Sequence, residues 1–269
     1  MPNIDSFFQS VKLPVISEVG QALIRTLNDE DASAAEVAAI VAKDPALTAR
    51  LLRLANSASF GLSRSVSTLD DAISLVGMAR VRTLCLAACL GDAFPDVEGL
   101  KRSDVWRSCM VSAGYAQWLS NHLGMDGSQA WLCSMMVRLG EVIIAQAQPS
   151  TLAEIERLPH APGGRWERET RLTGFSEGEV TAELARRWNF PAEIVRGLNA
   201  SAEPMAAKPF SRLGAIVHLS MLLADMFGEG VEGVEMLDKL PEDVVKALQL
   251  NPEWMRAKFP AATSFVDVR

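Results

Sequence analysis

Three histidines, His122, His160 and His218, four cysteines and a scatter of carboxylates are the side chains that could hold a metal or move a proton. Cys85 and Cys89 lie four apart, so both can face one way on a helix. No second pair at metal-ligand spacing completes a zinc site with them. With Cys109 and Cys133 they read as buried free thiols. His218 stands in an apolar helical run and reads as a hydrogen-bonded core residue. His122 falls near a helix end, where the dipole favours a cation, and His160 falls in a Pro/Gly loop. No Ser-His-Asp or Cys-His pairing follows from the spacing. Basic residues cluster weakly at Arg80 and Arg82, at Lys101, Arg102 and Arg107, and at Arg186 and Arg187, and read as solvated helix faces. Trp131, Met135 and Met136 share a helical spacing that reads as core packing.

The chain that carries these residues has 269 positions, 49% apolar and 22% charged, with a net charge of −7 and a pI of about 5.1. That is the composition of an ordinary soluble globular protein, and it argues against a nucleic-acid partner, whose footprint is a basic domain. No secretory signal opens the sequence, and a reducing cytoplasm suits four free thiols. The most apolar run, residues 213–227, is too short for a membrane span and contains His218 and Asp225.

Almost every segment has helical periodicity, and none alternates with a period of two over strand length. Residues 15–28 form a first amphipathic helix with Val15, Val19, Leu23 and Leu27 on one face. Ser33 with Glu36 and Thr68 with Asp71 are capping pairs, the second opening a helix that ends near Gly77. Asp44 and Pro45 open the helix between them, with Leu47 and Leu51 on its buried stripe. Asn56 and Ser57 close that helix and Gly61 lets the chain turn. A helix over 79–93 precedes a break at 95–101. Long helices follow over 103–123 and 128–146, then a loop at 159–164. Ser176 and Glu179 cap another helix, Pro191 starts the next, and 210–227 is strongly apolar. Pro241 and Asn251-Pro252 open two short terminal helices.

The ordered string Leu13-Pro14, Asp44-Pro45, Asn56-Ser57, Phe60-Gly61, Ser67-Thr68-Leu69, Ala72-Ile73 and Leu75-Val76-Gly77 resembles the signature of the HDOD family, bacterial output modules related to HD-domain phosphohydrolases. The resemblance covers about residues 11–205. It implies an all-α, HD-like fold in which an N-terminal helical lobe packs on a C-terminal one. The expected organisation is a single unit over 1–269, with lobes at 11–94 and 102–205 and a C-terminal extension of the second at 206–269.

Metal-dependent HD enzymes hold their ions with an adjacent His-Asp pair and further histidines, lowering the pKa of a bound water. In the helix that resembles theirs, Val137 and Arg138 stand in the His and Asp places. Glu177 stands where a later histidine is found, and Ser201 and Ala202 where paired histidines often end the pattern. The framework around them persists in Trp106, Ser108, Leu139, Gly140, Trp188 and Pro191. The resemblance therefore implies a degenerate site with no metal, no cofactor and no catalytic residue. Asp44, Pro45, Asn56, Ser57, Gly61 and Gly77 are expected to be structural, and loss of the Asn56 side chain to cost about 0.5–2 kcal/mol.

The function expected is a non-enzymatic signal-transduction or regulatory module that works by protein–protein contact. Its partners would be signalling proteins in trans: a kinase, a receiver or a cyclic-nucleotide pathway protein. One alternative is a nucleotide or anion sensor in the vacated cleft, with Arg138 as counter-charge, unless Arg138 pairs with Glu141 instead. A further alternative is a divergent phosphohydrolase gathering Glu141, Glu177 or Glu179 with His218 or His122 around a metal.

Overall fold

A computed structural model describes residues 3–9, 11, 13–56, 66–94, 96–157 and 161–266. Ser57, Phe60, Gly61 and His160 lie outside the described residues. The architecture is all-α and HD-like, and among the described residues the only extended pairing is an isolated bridge between Val97 and Leu100. The chain divides into two compact units. One gathers residues 14–95 with 187–191, and the other gathers 1–13, 96–186 and 192–266.

A short helix, α1 (Ile4–Gln9), precedes the five helices of the first unit, and each of those starts where a local signal places it. Ser17 accepts from the Gly20 amide at 3.1 Å, so α2 (Glu18–Leu27) begins three residues later than the periodicity predicts. Ser33 caps α3 (Ala34–Val41) through the Glu36 amide. Asp44 Oδ1 accepts from the amides of Ala46 and Leu47, both at 3.0 Å, and Pro45 is the first residue of α4 (Pro45–Ala55). Thr68 caps α5 (Leu69–Val76) through the Asp71 amide.

Gly77 joins α5 to α6 (Met78–Ala93) across a bend of 116°. Its φ of +93° is one that L side chains avoid, and a Cβ there would meet nothing within 4 Å, so backbone conformation alone selects glycine. Asn56 acts as a brace. Its Nδ2 donates to the carbonyls of Leu52 and Val66, and its Oδ1 accepts from the Val66 amide, all at 2.7 Å. One side chain thus ties the end of α4 to the strand-like residue ten positions on. Leu23, Val37, Val41, Ala72, Val81 and Leu86 are buried where these helices meet. Residues 187–191 join this unit through Trp188, edge-on to Phe94, and the Asn189 carbonyl, which accepts from Asn28.

The second unit is built on α7 (Arg102–His122), α8 (Gly127–Val137), α9 (Leu139–Ala147), α10 (Pro149–Ile155), α11 (Gly164–Thr173), α12 (Glu177–Arg187), α13 (Ala192–Asn199) and α14 (Arg212–Gly228). A 3-10 segment (Val234–Lys239), α15 (Glu242–Ala247), α16 (Pro252–Ala257) and α17 (Thr263–Val266) complete it. Helices α7, α8 and α14 form its centre. The terminal helices dock on α7 through aromatic rings: Trp254 stacks between Trp118 and His122, and Phe265 lies edge-on to Tyr115 over Gly114. A Cβ on Gly114 would collide with the Phe265 ring.

A sequence expectation is corrected here. The single helix predicted over 128–146 is two, α8 and α9, broken at Arg138. The span Gly127–Ala147 is long and apolar enough to cross a membrane by length and composition alone, and 83% of its apolar 18-residue window is buried in the protein.

Candidate functional site

The break at Arg138 has a visible cause on a helix 40 residues further along. Thr181 of α12 donates its hydroxyl to the Val137 carbonyl at 2.7 Å and accepts from the Gly140 amide at 2.7 Å. A side chain inserted into the i→i−4 ladder interrupts it. Two glycines let α12 come this close. A Cβ on Gly140 would strike the Glu177 carbonyl, and one on Gly178 would strike Ser201 Oγ and the Leu198 carbonyl.

The interruption turns Arg138 inward, where it is 8% exposed. Its Nε donates to Glu141 Oε2 at 2.8 Å, and one terminal nitrogen donates to Ser108 Oγ at 3.0 Å and lies 3.5 Å from Asp225 Oδ1. The Glu141 pairing, weighed in sequence against an anion contact, is the one the fold makes. Asp225, toward the end of α14, is buried as well: its side chain is 6% exposed and faces Arg138.

A second guanidinium lies deeper. Arg165, near the start of α11, is 1% exposed and is the largest fully buried side chain. One terminal nitrogen donates to Glu169 Oε1 at 2.8 Å and sits 3.3 Å from Glu141 Oε2 and 3.8 Å from Glu156 Oε1. The other donates to Glu177 Oε1, which also accepts from Trp166 Nε1 at 2.8 Å. Glu169 Oε2 accepts from the Glu177 amide at 2.7 Å, so Glu169 bridges α11 to the first turn of α12. The start of α12 is fixed by a reciprocal box. Ser176 Oγ accepts from the Glu179 amide, and Glu179 Oε2 accepts from the Ser176 amide and hydroxyl.

Five carboxylates thus surround two guanidiniums, with both cations paired. Burial works against the charge on each arginine, but the surrounding carboxylates outweigh it and hold both guanidiniums well above their ordinary pKa. Burial likewise pushes Glu141 up, yet Arg138 and Arg165 hold it below the usual carboxylate range. Such a cluster is expensive to desolvate and adds little net stability, while removing one member strands the rest.

The residues read from sequence as the vacated positions fall into two places. Arg138 and Glu177 belong to this cluster, and Val137 reaches it only through its carbonyl. Ser201 and Ala202 follow α13. Ser201 Oγ donates to the Leu198 carbonyl, and its own carbonyl bonds His218 Nδ1 at 2.7 Å. Burial lowers the His218 pKa, so the ring is neutral and donates from Nδ1. Ala202 and His218 line an open cavity of about 1060 Å³ with Trp166, Ser176, Asn199 and Lys239.

This donor set does not fit an HD-type metal centre. Its carboxylates are engaged by guanidiniums, His122 is stacked on Trp254, and His218 is tied to Ser201. Among the described residues no group of three or more His, Cys, Asp and Glu side chains is arranged to hold a metal ion. All four cysteines are buried, and burial pushes the thiol of Cys109, beside the cluster, up to about 12. Arg165, Glu169 and Thr181 escaped the sequence reading. The i,i+4 spacing of Arg165 and Glu169 beside Trp166 is the one local signal that could have found two of them.

Solved structures share this fold. A structure of a Shewanella amazonensis SB2B protein, provisionally named a phosphohydrolase, is 28% identical, with a TM-score of 0.72 over 97% of this chain and 92% of its own. An HDOD domain protein of unknown function from Geobacter sulfurreducens is 24% identical, with a TM-score of 0.69 over 96% and 88%. A Marinobacter aquaeolei VT8 protein, provisionally named in signal transduction, has a TM-score of 0.69 at 20% identity, over 95% of this chain and 57% of its own. An uncharacterized Treponema pallidum (strain Nichols) protein is 22% identical over 242 residues, which is 85% of this chain and 44% of that protein. The chain therefore spans less than half the length of the curated relative it matches. The HDOD domain profile matches residues 13–204, nearly the span over which the signature was read, and the chain belongs to the HDOD family.

Proposed function

We propose that this chain is a non-enzymatic signal-transduction module that works by binding other proteins. The observation that carries the reading is the cluster at the degenerate HD positions, where Arg138 and Arg165 pair with carboxylates that could otherwise attract a divalent cation. The site's polar groups are turned toward one another and buried, so they brace α8, α9, α11, α12 and α14 rather than meet a substrate. The provisional signal-transduction name of the Marinobacter relative is in keeping with this role. The partners proposed are a kinase, a receiver or a cyclic-nucleotide pathway protein acting in trans.

The test is a crosslinked affinity capture from native lysate, followed by reconstitution of each hit with purified chain. Saturable binding to a signalling protein supports the proposal. Hydrolysis of a nucleotide or cyclic dinucleotide by the purified chain, lost in Glu177→Gln, contradicts it.

A ligand-sensing role is the second reading, and the 1060 Å³ cavity favours it. Arg138 is paired and is not among the residues that line this cavity. The contacts for a ligand would come from Asn199, His218 and Lys239. A nucleotide panel that leaves the melting temperature unchanged in wild type and His218→Ala alike removes this reading.

A further inference from the structure

Among the described residues, Glu141 Oε1, Glu156 Oε1 and Glu177 Oε2 of the buried cluster have no hydrogen-bond donor, and Glu141 and Glu156 are the pair that share a cation. Both residues converge on one nitrogen of Arg165, Glu141 Oε2 at 3.3 Å and Glu156 Oε1 at 3.8 Å. Their side chains are also within hydrogen-bonding reach of each other. Two ionised carboxylates cannot bond to each other, because each only accepts. Left as they stand, two covered acceptors would each carry an unrecovered desolvation cost. One hydrogen placed between them satisfies both.

We propose that Glu141 and Glu156 share a proton, and that this carboxyl–carboxylate pair makes the junction between α10 and α11 a pH-responsive element.

The titratable and charged groups facing the pair come from every packed element. They are Arg138 at the end of α8, Arg165 and Arg168 on α11, Glu169 on α11, whose pKa burial raises well above the usual carboxylate range, Glu177 on α12, Asp225 on α14, and the un-ionised Cys109 thiol on α7. They divide the roles. Arg138 bonds Glu141 directly and keeps it ionised, whereas Glu156 lies beyond hydrogen-bonding distance of Arg165. The proton therefore resides on Glu156. Burial and then the Glu141 charge push Glu156 up to about 7.

Glu156 also has a way out. Its side chain is 31% exposed although Oε1 is covered, and it follows directly on the last turn of α10. Loss of the proton sets two like charges against each other, and rotation of Glu156 into water relieves them. α10 and α11 are then joined by Arg168, whose Nε donates to the Ile155 carbonyl at 2.8 Å, and by Arg171, which pairs with Glu154 at 2.6 Å. Gly163 and Gly164, at the start of α11, line the large cavity. This inference does not depend on whether the module binds proteins or ligands.

The sign follows from linkage. A carboxyl whose folded pKa is raised contributes stability that is full below its unfolded pKa and is lost as pH rises through the folded value. With the folded value near 7, moving from pH 6 to pH 8 raises the unfolding equilibrium constant roughly tenfold through this group alone. Urea melts of the full chain across pH 5.5–8.5, followed by tryptophan fluorescence, measure it. Wild type is expected to show that tenfold component and Glu156→Gln to lack it. Equal pH dependence in the two proteins overturns the proposal. Carbon-13 NMR of glutamate-labelled protein provides a second readout. One carboxyl that titrates with a midpoint between about 6 and 8 in wild type and is missing in Glu156→Gln supports the shared proton; no such carboxyl, or one that persists in Glu156→Gln, refutes it.

Discussion

Replacing Arg165 with Met is the sharpest perturbation of this molecule. The methionine retains apolar bulk but removes a cation that is 1% exposed and paired with Glu169 and Glu177, with Glu141 and Glu156 close by. Removing one partner of a buried ion pair costs about 3–5 kcal/mol, because the other charge is left uncompensated. Arg165 serves more than one carboxylate, which places its loss at the upper end of that range. A domain is stable by only about 5–15 kcal/mol, so much of the margin would go.

The cost should also depend on pH. Without the guanidinium the stranded carboxylates acquire raised folded pKa values, so their neutral forms are favoured in the folded protein. Their protonation recovers stability as pH falls, and the deficit relative to wild type should shrink from pH 8 to pH 5. Urea unfolding followed by tryptophan fluorescence is the assay. Arg165→Met combined with Glu177→Gln and Glu169→Gln should be less destabilised than Arg165→Met alone, since the stranded charges go with it. A loss below about 1 kcal/mol for the single variant, or one independent of pH, would refute the reasoning behind the cluster.

Three further outcomes are expected. Asn56→Ala removes three bonds of 2.7 Å that tie α4 to Val66; it should cost about 1–3 kcal/mol in urea melts followed by circular dichroism. Gly77→Ala meets no steric obstacle but must hold φ at +93°; a cost of about 1–3 kcal/mol is expected, and a neutral result would mean the bend between α5 and α6 adjusts freely. Thr181→Val leaves the Val137 carbonyl and Gly140 amide without their partner. It should cost about 1–3 kcal/mol and quicken hydrogen exchange at Gly140.

The helix starts of the first unit were legible because they are local. Ser33, Asp44 and Thr68 each satisfy an amide two or three residues away, as Ser176 does in the second unit, and a capping residue before an apolar stripe announces that in sequence. Gly77 was legible for the same reason. The break between α8 and α9 was not, because Thr181 supplies its cause from a distant helix while residues 128–146 keep helical periodicity throughout. Val137, Arg138 and Glu177, the places the resemblance assigns to the HD site, lie in one region. What fills that region was hidden. Arg165 and Glu169 stand in the polar run Gly164-Arg165-Trp166-Glu167-Arg168-Glu169, whose composition suggests a solvated helix. Only the tertiary fold turns two of those charges inward. Asp225 was hidden for a related reason: a carboxylate at the end of an apolar helix usually faces water, and here it faces Arg138.

The most direct test of the claim that arginines have replaced metal chemistry is the metal content of the chain, purified without chelator and then titrated with manganese, iron and zinc. The account expects substoichiometric metal and no saturable uptake at the cluster, with titration heats unchanged in Glu177→Gln. One tightly held ion per chain, displaced by Glu177→Gln and accompanied by phosphoester hydrolysis, would contradict it.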